Sequence, residues 1–303
     1  MVTRPKLVAL AAVLAAALIA PAALAGETPW TDDAKAALAT AVKDGKDLLI
    51  NYTGSDWCGW CTRLDKEVFS QEAFVAEAPK HFVFLKLDFP RRKPQSEALK
   101  KQNAEWRDKH GIRGFPTILL ADATGKPYAK TGYRRGGADA YLKHLDELRA
   151  VREQRDAAMA KAAAAQGVEK AKLLDEALGV LDSALVMIAY SDVVDQILAL
   201  DADGSAGLKN KYAAMALVAK VEAAMRTNKI DEANALIDQG LKDCGGTGQP
   251  AQNLLFSRSL ILYRQKNKPA AKAALEAAIK AAPDTPKAKQ IQAIIARVFK
   301  DTK

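Results

Sequence analysis

Two cysteines, Cys58 and Cys61, are the residues of this chain whose type and spacing could do chemistry. They lie in the segment GSDWCGWC, residues 54–61, directly after the apolar run at residues 48–50. A close pair of cysteines can form a structural disulfide, supply half of a zinc site, anchor a haem or act as a redox centre. The surrounding residues help to distinguish these four possibilities.

Residues outside the pair disfavour the haem and zinc sites and a purely structural disulfide. A c-type haem anchor needs histidine directly after the second cysteine, where this chain has Thr62. A structural zinc site needs four ligands, usually as two close pairs, but the chain offers one further cysteine, Cys244, and three isolated histidines. A structural disulfide normally closes a longer loop, because the entropy removed from the unfolded chain grows with loop size. We therefore expect a redox centre with no metal and no other cofactor.

The spacing of the pair suits thiol chemistry at the start of a helix. If a helix begins at the cysteines, Cys58 lies in its first turn, where free backbone N–H groups and the helix dipole stabilise a thiolate. Cys61 then shares the same helix face, within disulfide distance but one turn deeper. We predict that Cys58 is the attacking thiol and that Cys61 resolves the mixed disulfide.

The segments on either side of the cysteines alternate between helical and strand-like hydrophobic patterns. This alternation predicts an α/β sandwich. The expected helical segments are Thr31–Lys43, Thr62–Ala78, Gln95–Lys109 and Ala138–Arg149, and the expected strands are Leu48–Thr53, Phe82–Leu87, Thr117–Ala121 and Pro127–Thr131, the last two joined by a hairpin turn at Asp122–Gly125.

Two separated motifs, Leu48–Cys61 and Gly111–Thr117, together resemble the thioredoxin superfamily, and the resemblance extends from about Thr31 to Ala150. It implies a thioredoxin-like fold and a cis-proline at Pro116 that faces the cysteine pair. It also implies a loop that shields the thiols and offers backbone groups to an extended substrate strand. The residues implied to contact substrate are Trp57, Gly59, Trp60, Phe115 and Pro116.

Several positions depart from the thioredoxin pattern. Trp60 precedes Cys61 where thioredoxins have proline, so the direction of electron transfer stays open. Thioredoxins also have a buried carboxylate on the preceding strand, but the nearest residues here are Asn51 and Tyr52. Lys86, on the next strand, either corresponds to the lysine that pairs with that carboxylate in thioredoxins or is simply a charged residue at a strand edge. The tryptophans on either side of the pair either contact substrate or pack at its rim.

The composition changes near Ala150, since all four tryptophans precede it and the remainder is rich in alanine with helical spacing. Within this half, Arg226–Leu241 superposes on Arg264–Ile279, which predicts paired helices. The pattern resembles tetratricopeptide repeats, whose period is about 34 residues, if the loop Cys244–Gln249 supplies the extra length. We predict a thioredoxin-like domain at 27–150 and a tetratricopeptide-like helical domain at 151–303, with an irregular bundle as the alternative for the second.

The first 25 residues predict the location of the protein. Arg4 and Lys6 precede an apolar stretch and a small-residue cleavage site at Ala25, which is typical of a secretory signal peptide at 1–25. We expect a periplasmic or secreted protein without stable membrane insertion. Both halves of the mature chain carry only a small excess of basic residues, so nucleic-acid binding is not expected, and the basic run at 91–93 is interpreted as a solvated loop.

Two functional hypotheses follow from the sequence. The first is an exported thiol-disulfide oxidoreductase that acts on protein thiols or disulfides through Cys58 and Cys61, with helical repeats that dock proteins and a membrane-bound or soluble thiol redox partner. The second is a protein-binding adaptor in which the two cysteines form a permanent structural disulfide. Cys244, the odd cysteine, has no role assigned by the sequence.

Overall fold

A central strand, β1 (Asp47–Thr53), organises the sheet in the computed structural model, which describes residues 30–299. All seven residues of β1 are buried, as expected for a strand covered on both faces, although Asp47, Asn51 and Thr53 are polar. The sheet order is β2-β1-β3-β4, with β2 parallel to β1 and the other neighbours antiparallel. The other strands are β2 (Phe82–Asp88), β3 (Thr117–Ala121) and β4 (Pro127–Thr131).

Helices cover both faces of this sheet. Because successive side chains of a strand point to opposite faces, Leu48 and Ile50 pack on one side, with helix α1 (Ala34–Asp44) and helix α4 (Glu97–Lys109), and Leu49 packs on the other. The second side is covered by α2 (Gly59–Leu64), α3 (Glu72–Glu77) and the long helix α5 (Gly137–Ala164). The predicted α/β fold class is confirmed.

All four predicted helices have different bounds in the structure, and the differences in the first two have local structural reasons. The first begins at Ala34, because Thr31 is extended and forms a parallel bridge with Leu85 of β2. The predicted helical segment Thr62–Ala78 is divided into α2, a π turn, α3 and a 3-10 turn. In one straight helix Phe69 and Phe74 would point about 140° apart. The break brings both into the same core, with ring centroids 5.1 Å apart.

Helix α5 passes through Ala150 without a break and continues to Ala164. Its second half packs with α6 (Gly167–Gly179), α7 (Ser183–Ala189) and α8 (Ser191–Leu200) in a core that also contains residues of the sheet. The boundary near Ala150 marks the change in composition, but no break in the helix occurs there. That the two sides are separate folding units stays a prediction.

Buried polar contacts of α5 reinforce this shared core. Arg155, 5% exposed, donates to the hydroxyl of Tyr190 at 2.6 Å and to the carboxylate of Asp122, in the β3–β4 turn, at 3.1 Å. One turn earlier, Arg152 pairs with Asp47, a buried carboxylate at the start of β1 that also accepts the Tyr128 hydroxyl at 2.7 Å. The helix thus contacts both the sheet and the helical region through charged groups.

The remaining helices form two consecutive hairpins and a final helix. Helices α10 and α12 begin 38 positions apart (230 to 268), and both are preceded by a residue with positive φ, Asn228 and Lys266. Buried small residues recur at the same spacing, for example Gly240 and Ala278. The predicted paired helices are present, while their assignment as tetratricopeptide repeats stays a prediction. The bounds are α9 (Leu208–Arg226), α10 (Ile230–Asp243), α11 (Gly248–Arg264), α12 (Lys268–Ala281) and α13 (Pro286–Val298).

Within residues 30–299, no single helix is both long and apolar enough to cross a bilayer. Helices α7 and α8 reach that length and composition only as a pair, and they are bent by 91° relative to each other. The predicted signal peptide at 1–25 lies outside the described residues.

The buried contacts of Arg155 predict a large effect on stability. We expect Arg155→Ala to lower the free energy of unfolding by about 3–5 kcal/mol, because it leaves buried polar partners without their cation. Arg149→Ala, in the same helix, is the control, since Arg149 faces a 66% exposed Asp146 at 3.6 Å and such a pair contributes about 1 kcal/mol or less. Urea unfolding of both variants measures the difference, and equal midpoints would contradict the prediction.

Candidate redox site

The two cysteines form a disulfide at the amino end of α2, with their Cα atoms 5.2 Å apart. Cys58 is the N-cap residue, with the extended backbone (φ −91°, ψ 100°) that this position requires. Its Sγ accepts the backbone N–H of Cys61 at 3.2 Å. The start of the helix therefore offers Cys58 the hydrogen bond and the dipole end that favour a thiolate.

The two cysteine residues differ little in exposure, although Cys61 was expected to lie one turn deeper. Cys58 is 7% exposed and Cys61 is 5% exposed in the disulfide form. The N-cap position, and not exposure, is the feature that separates Cys58 from its partner. Between them, Gly59 is exposed, and a Cβ built there would meet no atom within 4 Å, so the surface beside the disulfide is open.

The loop Gly111–Pro116 contacts the segment that leads into Cys58. The peptide bond between Phe115 and Pro116 is cis, as expected. The ring of Phe115 meets the ring of Trp57 edge to face, with centroids 5.7 Å apart, so the residues preceding Pro116 and Cys58 are in contact. Behind the loop, a Cβ on Gly132 would lie 3.1 Å from the carbonyl oxygen of Pro116, which explains the glycine there.

The same loop contacts the helical region. Arg113 lies 3.7 Å from Glu222 of α9. Gly111 has a positive φ of 58°, and a Cβ there would lie 2.8 Å from the side chain of Ile188 in α7. The loop next to the redox pair is therefore packed between the sheet and the helices that follow α5.

The two tryptophans have different surroundings. Trp57 is 36% exposed, and its Nε1 donates to the carbonyl oxygen of Phe89 at 2.8 Å, so one edge of the ring is fixed by packing. Trp60 is 53% exposed and touches Tyr133, with ring centroids 5.1 Å apart. Trp60 therefore presents more surface to an incoming chain, while Trp57 combines packing with partial exposure.

Tyr133 and its polar partners were missed from the sequence. Its hydroxyl donates to Glu67 at 2.6 Å, and the same carboxylate accepts Arg63 Nε at 2.6 Å. These contacts hold the pKa of Glu67 below its usual value, with the tyrosine hydrogen bond as the largest cause. The i, i+4 spacing of Arg63 and Glu67 was a visible signal, whereas the approach of Tyr133 depends on the tertiary fold.

Asn51 and Tyr52 lie on opposite faces of β1. Asn51 shares the face of Leu49, where Leu64 of α2 packs; it is 6% exposed, and its Oδ1 has no hydrogen-bond partner among residues 30–299. Lys86 of β2 is its half-buried neighbour in register. No carboxylate therefore occupies the strand position beneath α2.

Tyr52 belongs to the other core, and its hydroxyl oxygen lies 2.6 Å from His110 Nδ1. Burial raises the pKa of Tyr52, and it lowers the pKa of His110 to about 4, with a smaller contribution from Lys109. Both side chains are therefore uncharged near neutral pH. Neither supplies a charge to the cysteine pair from this side of the sheet.

The structure also bears on metal binding and on the third cysteine, Cys244. No cluster of three or more His, Cys, Asp or Glu side chains suited to a metal occurs in the described part of the chain. Cys244 is a free, half-buried cysteine at the carboxyl end of α10, and its Sγ lies 3.7 Å from the carbonyl oxygen of Leu241.

Comparison with known proteins agrees with this site. A family model described as a thioredoxin-like domain matches residues 34–149. Disulfide bond reductase DsbH of Chlamydia pneumoniae is 32% identical over 118 residues, which are 39% of this chain and 70% of that protein. Thioredoxin-related protein DsbJ of the same organism is 30% identical over 91 residues, 30% of this chain and 26% of that protein. The solved structure of a DsbH oxidoreductase is 29% identical, covers 41% of this chain and 85% of its own, and has a TM-score of 0.39.

The chain belongs to the thioredoxin-like family, and the matched residues include Cys58, Cys61 and Pro116. Within that family, it is similar to a protein that is named as a disulfide bond reductase. The helices beyond residue 149 lie outside the family match.

The geometry predicts different acidities for the two thiols of the reduced protein. We expect the pKa of Cys58 to fall within the range of about 3.5–7.5 found for activated thiols, below the free-thiol value of about 8.5, because Cys58 caps α2. The measurement is the rate of iodoacetamide alkylation against pH in a Cys61→Ser/Cys244→Ser variant. The matched control is Cys58→Ser/Cys244→Ser, which leaves only Cys61. A pKa for Cys58 equal to or above that of Cys61 would overturn the assignment.

Proposed function

We propose that the protein is an exported thiol-disulfide oxidoreductase that reduces disulfides in client proteins. The observation that carries the proposal is the Cys58–Cys61 disulfide at the amino end of α2, beside the loop that ends in Pro116. The similarity to a protein named disulfide bond reductase supports the reducing direction, which the sequence of the motif left open.

The proposed reaction is two successive thiol-disulfide exchanges. The Cys58 thiolate attacks one sulfur of a client disulfide, forming a mixed disulfide and releasing the other client sulfur as a thiolate, which takes up a proton. Cys61 then loses its proton and attacks the Cys58 sulfur, which releases the second client thiolate and forms the Cys58–Cys61 disulfide. The client gains two electrons, and the protein loses two.

Continued turnover needs a partner that returns two electrons to Cys58 and Cys61. The predicted signal peptide at 1–25 supports export to a periplasmic or secreted location, where the surroundings favour disulfide formation. A reductase in such a compartment is oxidised in every cycle, so we infer a membrane-bound or soluble thiol redox partner. The client disulfide and the partner's thiols would use the same open surface beside Gly59.

The helical region is proposed to dock client proteins. A cleft of about 420 Å³ opens between α6, α7, α9 and α11, and its walls combine apolar side chains such as Leu181 and Met215 with polar ones such as Asn210 and Asn253. Ligand sites are commonly concave and largely apolar, with a few polar groups that orient the ligand. Helix α9 also supplies Glu222, the partner of Arg113, so one helix connects the cleft with the loop beside the cysteines.

The reaction predicts that Cys61→Ser traps clients. In this variant Cys58 still attacks, but the thiol that normally displaces the mixed disulfide is missing. We expect covalent complexes that disappear on adding reductant, while Cys58→Ser, the control, yields few. Both variants carry Cys244→Ser, so that the free cysteine forms no complexes of its own. Non-reducing electrophoresis and mass spectrometry of the exported fraction identify the trapped proteins.

A non-catalytic adaptor would give the opposite result. If folded Cys61→Ser captures nothing and the wild-type disulfide resists reduction by physiological thiol couples, the oxidoreductase proposal fails. The cysteine pair would then be a permanent structural disulfide.

The docking role predicts a separate effect on the trapped set. Because α5 continues through Ala150 and its core is shared, deleting the helical region would expose apolar surface, so substitutions in the full chain are the better test. We expect Ala214→Trp, which fills the cleft, to reduce client trapping several-fold in the Cys61→Ser background. Ala213→Trp is the control, since Ala213 is exposed and does not line the cleft. Equal trapping by two folded variants would contradict docking in the cleft.

A further inference from the structure

The loop that follows β2 is fixed beside the redox pair by the carboxylate of Asp56, two residues before Cys58. Asp56 accepts the backbone N–H groups of Arg91, Arg92 and Lys93 at 2.9, 2.7 and 3.0 Å. These hydrogen bonds lower the pKa of Asp56 to about 2, with the bond from Arg91 as the largest cause, so the carboxylate stays ionised. We name residues 91–93 the basic loop.

Neighbouring contacts strengthen the attachment of the basic loop. The backbone N–H and the hydroxyl of Ser55 donate to Asp88 at 2.9 and 2.6 Å, and Trp57 donates to the carbonyl oxygen of Phe89. Three consecutive residues before Cys58 therefore bind the segment that ends β2 and begins the loop. The position of the loop relative to the disulfide is set by this set of hydrogen bonds.

The side chains of the basic loop stay available to a ligand. Asp56 binds their backbone and not their charged groups, and all three residues are exposed. None of these three side chains forms an ion pair within residues 30–299. The guanidinium of Arg91 stacks on Trp57, 3.9 Å from the ring centroid, which brings one cation next to the residue that precedes Cys58.

Two other cations near the disulfide have carboxylate partners, while Arg134 and Arg135, exposed beside Tyr133, form no ion pair within residues 30–299. Arg63, which stacks over Trp60, is paired with Glu67, and Arg113 is paired with Glu222. Positive charge without an acidic side-chain partner therefore lies near both tryptophans, and the basic loop, with three consecutive cations beside Trp57, is its largest group. A cluster of like charges at a site raises the rate and selectivity of encounter with oppositely charged partners.

We propose that the basic loop makes the protein select disulfides in acidic polypeptide segments, with Asp or Glu within a few residues of the target cysteine. This inference rests on the proposed function, since it concerns the substrate of the same thiols. The proposed substrate is a polypeptide because one chain can then supply both the disulfide that Cys58 attacks and the carboxylates that pair with the basic loop. Client carboxylates would pair with the basic loop while the client chain lies against the exposed surfaces of Trp57 and Trp60.

The test compares three peptide disulfides with the same cysteine ring, flanked by glutamates, glutamines or lysines. With reduced full-length protein at low ionic strength, we expect the second-order rate constant for a single round of reduction of the acidic peptide to exceed that of the basic one by at least about tenfold. Added salt should shrink this ratio, because the screening length falls from about 10 Å at 0.1 M to about 3 Å at 1 M. A ratio near one at low salt would overturn the inference.

Charge-reversal variants show whether the preference for acidic peptides comes from the basic loop. Arg92→Glu/Lys93→Glu keeps the backbone donors to Asp56 and the stacked Arg91, and we expect it to bring the acidic-to-basic ratio to one or below. Lys43→Glu/Lys80→Glu makes the same change in net charge near the opposite end of β1, since Lys43 is in the last turn of α1 and Lys80 lies two residues before β2, and it should keep most of the preference. If both double variants lose it equally, net charge and not the basic loop is responsible, and the inference fails.

The neutral peptide separates this failure from failure of the proposed function. If the wild type reduces none of the three peptides, and reduces no small disulfide, the oxidoreductase proposal falls. If it reduces all three at the same rate, thiol chemistry stands and only the selection of acidic segments is overturned.

Discussion

Burial of β1 on both faces is the constraint on which the rest of the structure depends. A strand without a solvent face must have neighbours on both edges and helices above and below, and β2, β3, α1, α2, α4 and α5 meet that requirement. Its first residue, Asp47, is held by Arg152 and Tyr128. The other end of β1 leads directly into the segment that carries Cys58. The position of the cysteine pair is therefore fixed by the strand.

The chemistry of the site is divided between this scaffold and the loops around it. The end of β1 and the start of α2 place Cys58 at a helix N-cap, which favours its thiolate whatever the client. Loops after β2, before β3 and after β4 bring aromatic and basic side chains to the same end of the sheet. The scaffold therefore serves reactivity, while the loops are suited to setting which chains approach.

The helical region contributes to the redox site through contacts as well as through sequence continuity. Helix α5 begins in the α/β region and ends among the later helices, and Arg155 joins Tyr190 with the β3–β4 turn. The loop before Pro116 meets α7 and α9. Because α6, α7, α8 and the start of α9 share a core with the sheet, substitutions in these helices are expected to affect the redox site through packing in addition to any direct binding of clients.

The sequence by itself determined the alternation of helices and strands and the position of the cysteine pair, because these depend on local periodicity and on residue types with few alternative uses. The loop that ends in Pro116 followed from the resemblance to thioredoxins. The sequence also predicted the repeat in the second half of the chain, where α10 and α12 begin at the predicted spacing. It could not give the break at Phe69, the continuation of α5 past Ala150 or the contact of Tyr133 with Glu67. Those features arise from packing and hydrogen bonds between distant segments, as do the three backbone hydrogen bonds of Asp56. Local sequence patterns carry no signal for such pairings, so only the tertiary structure decided which charges stand beside the cysteines.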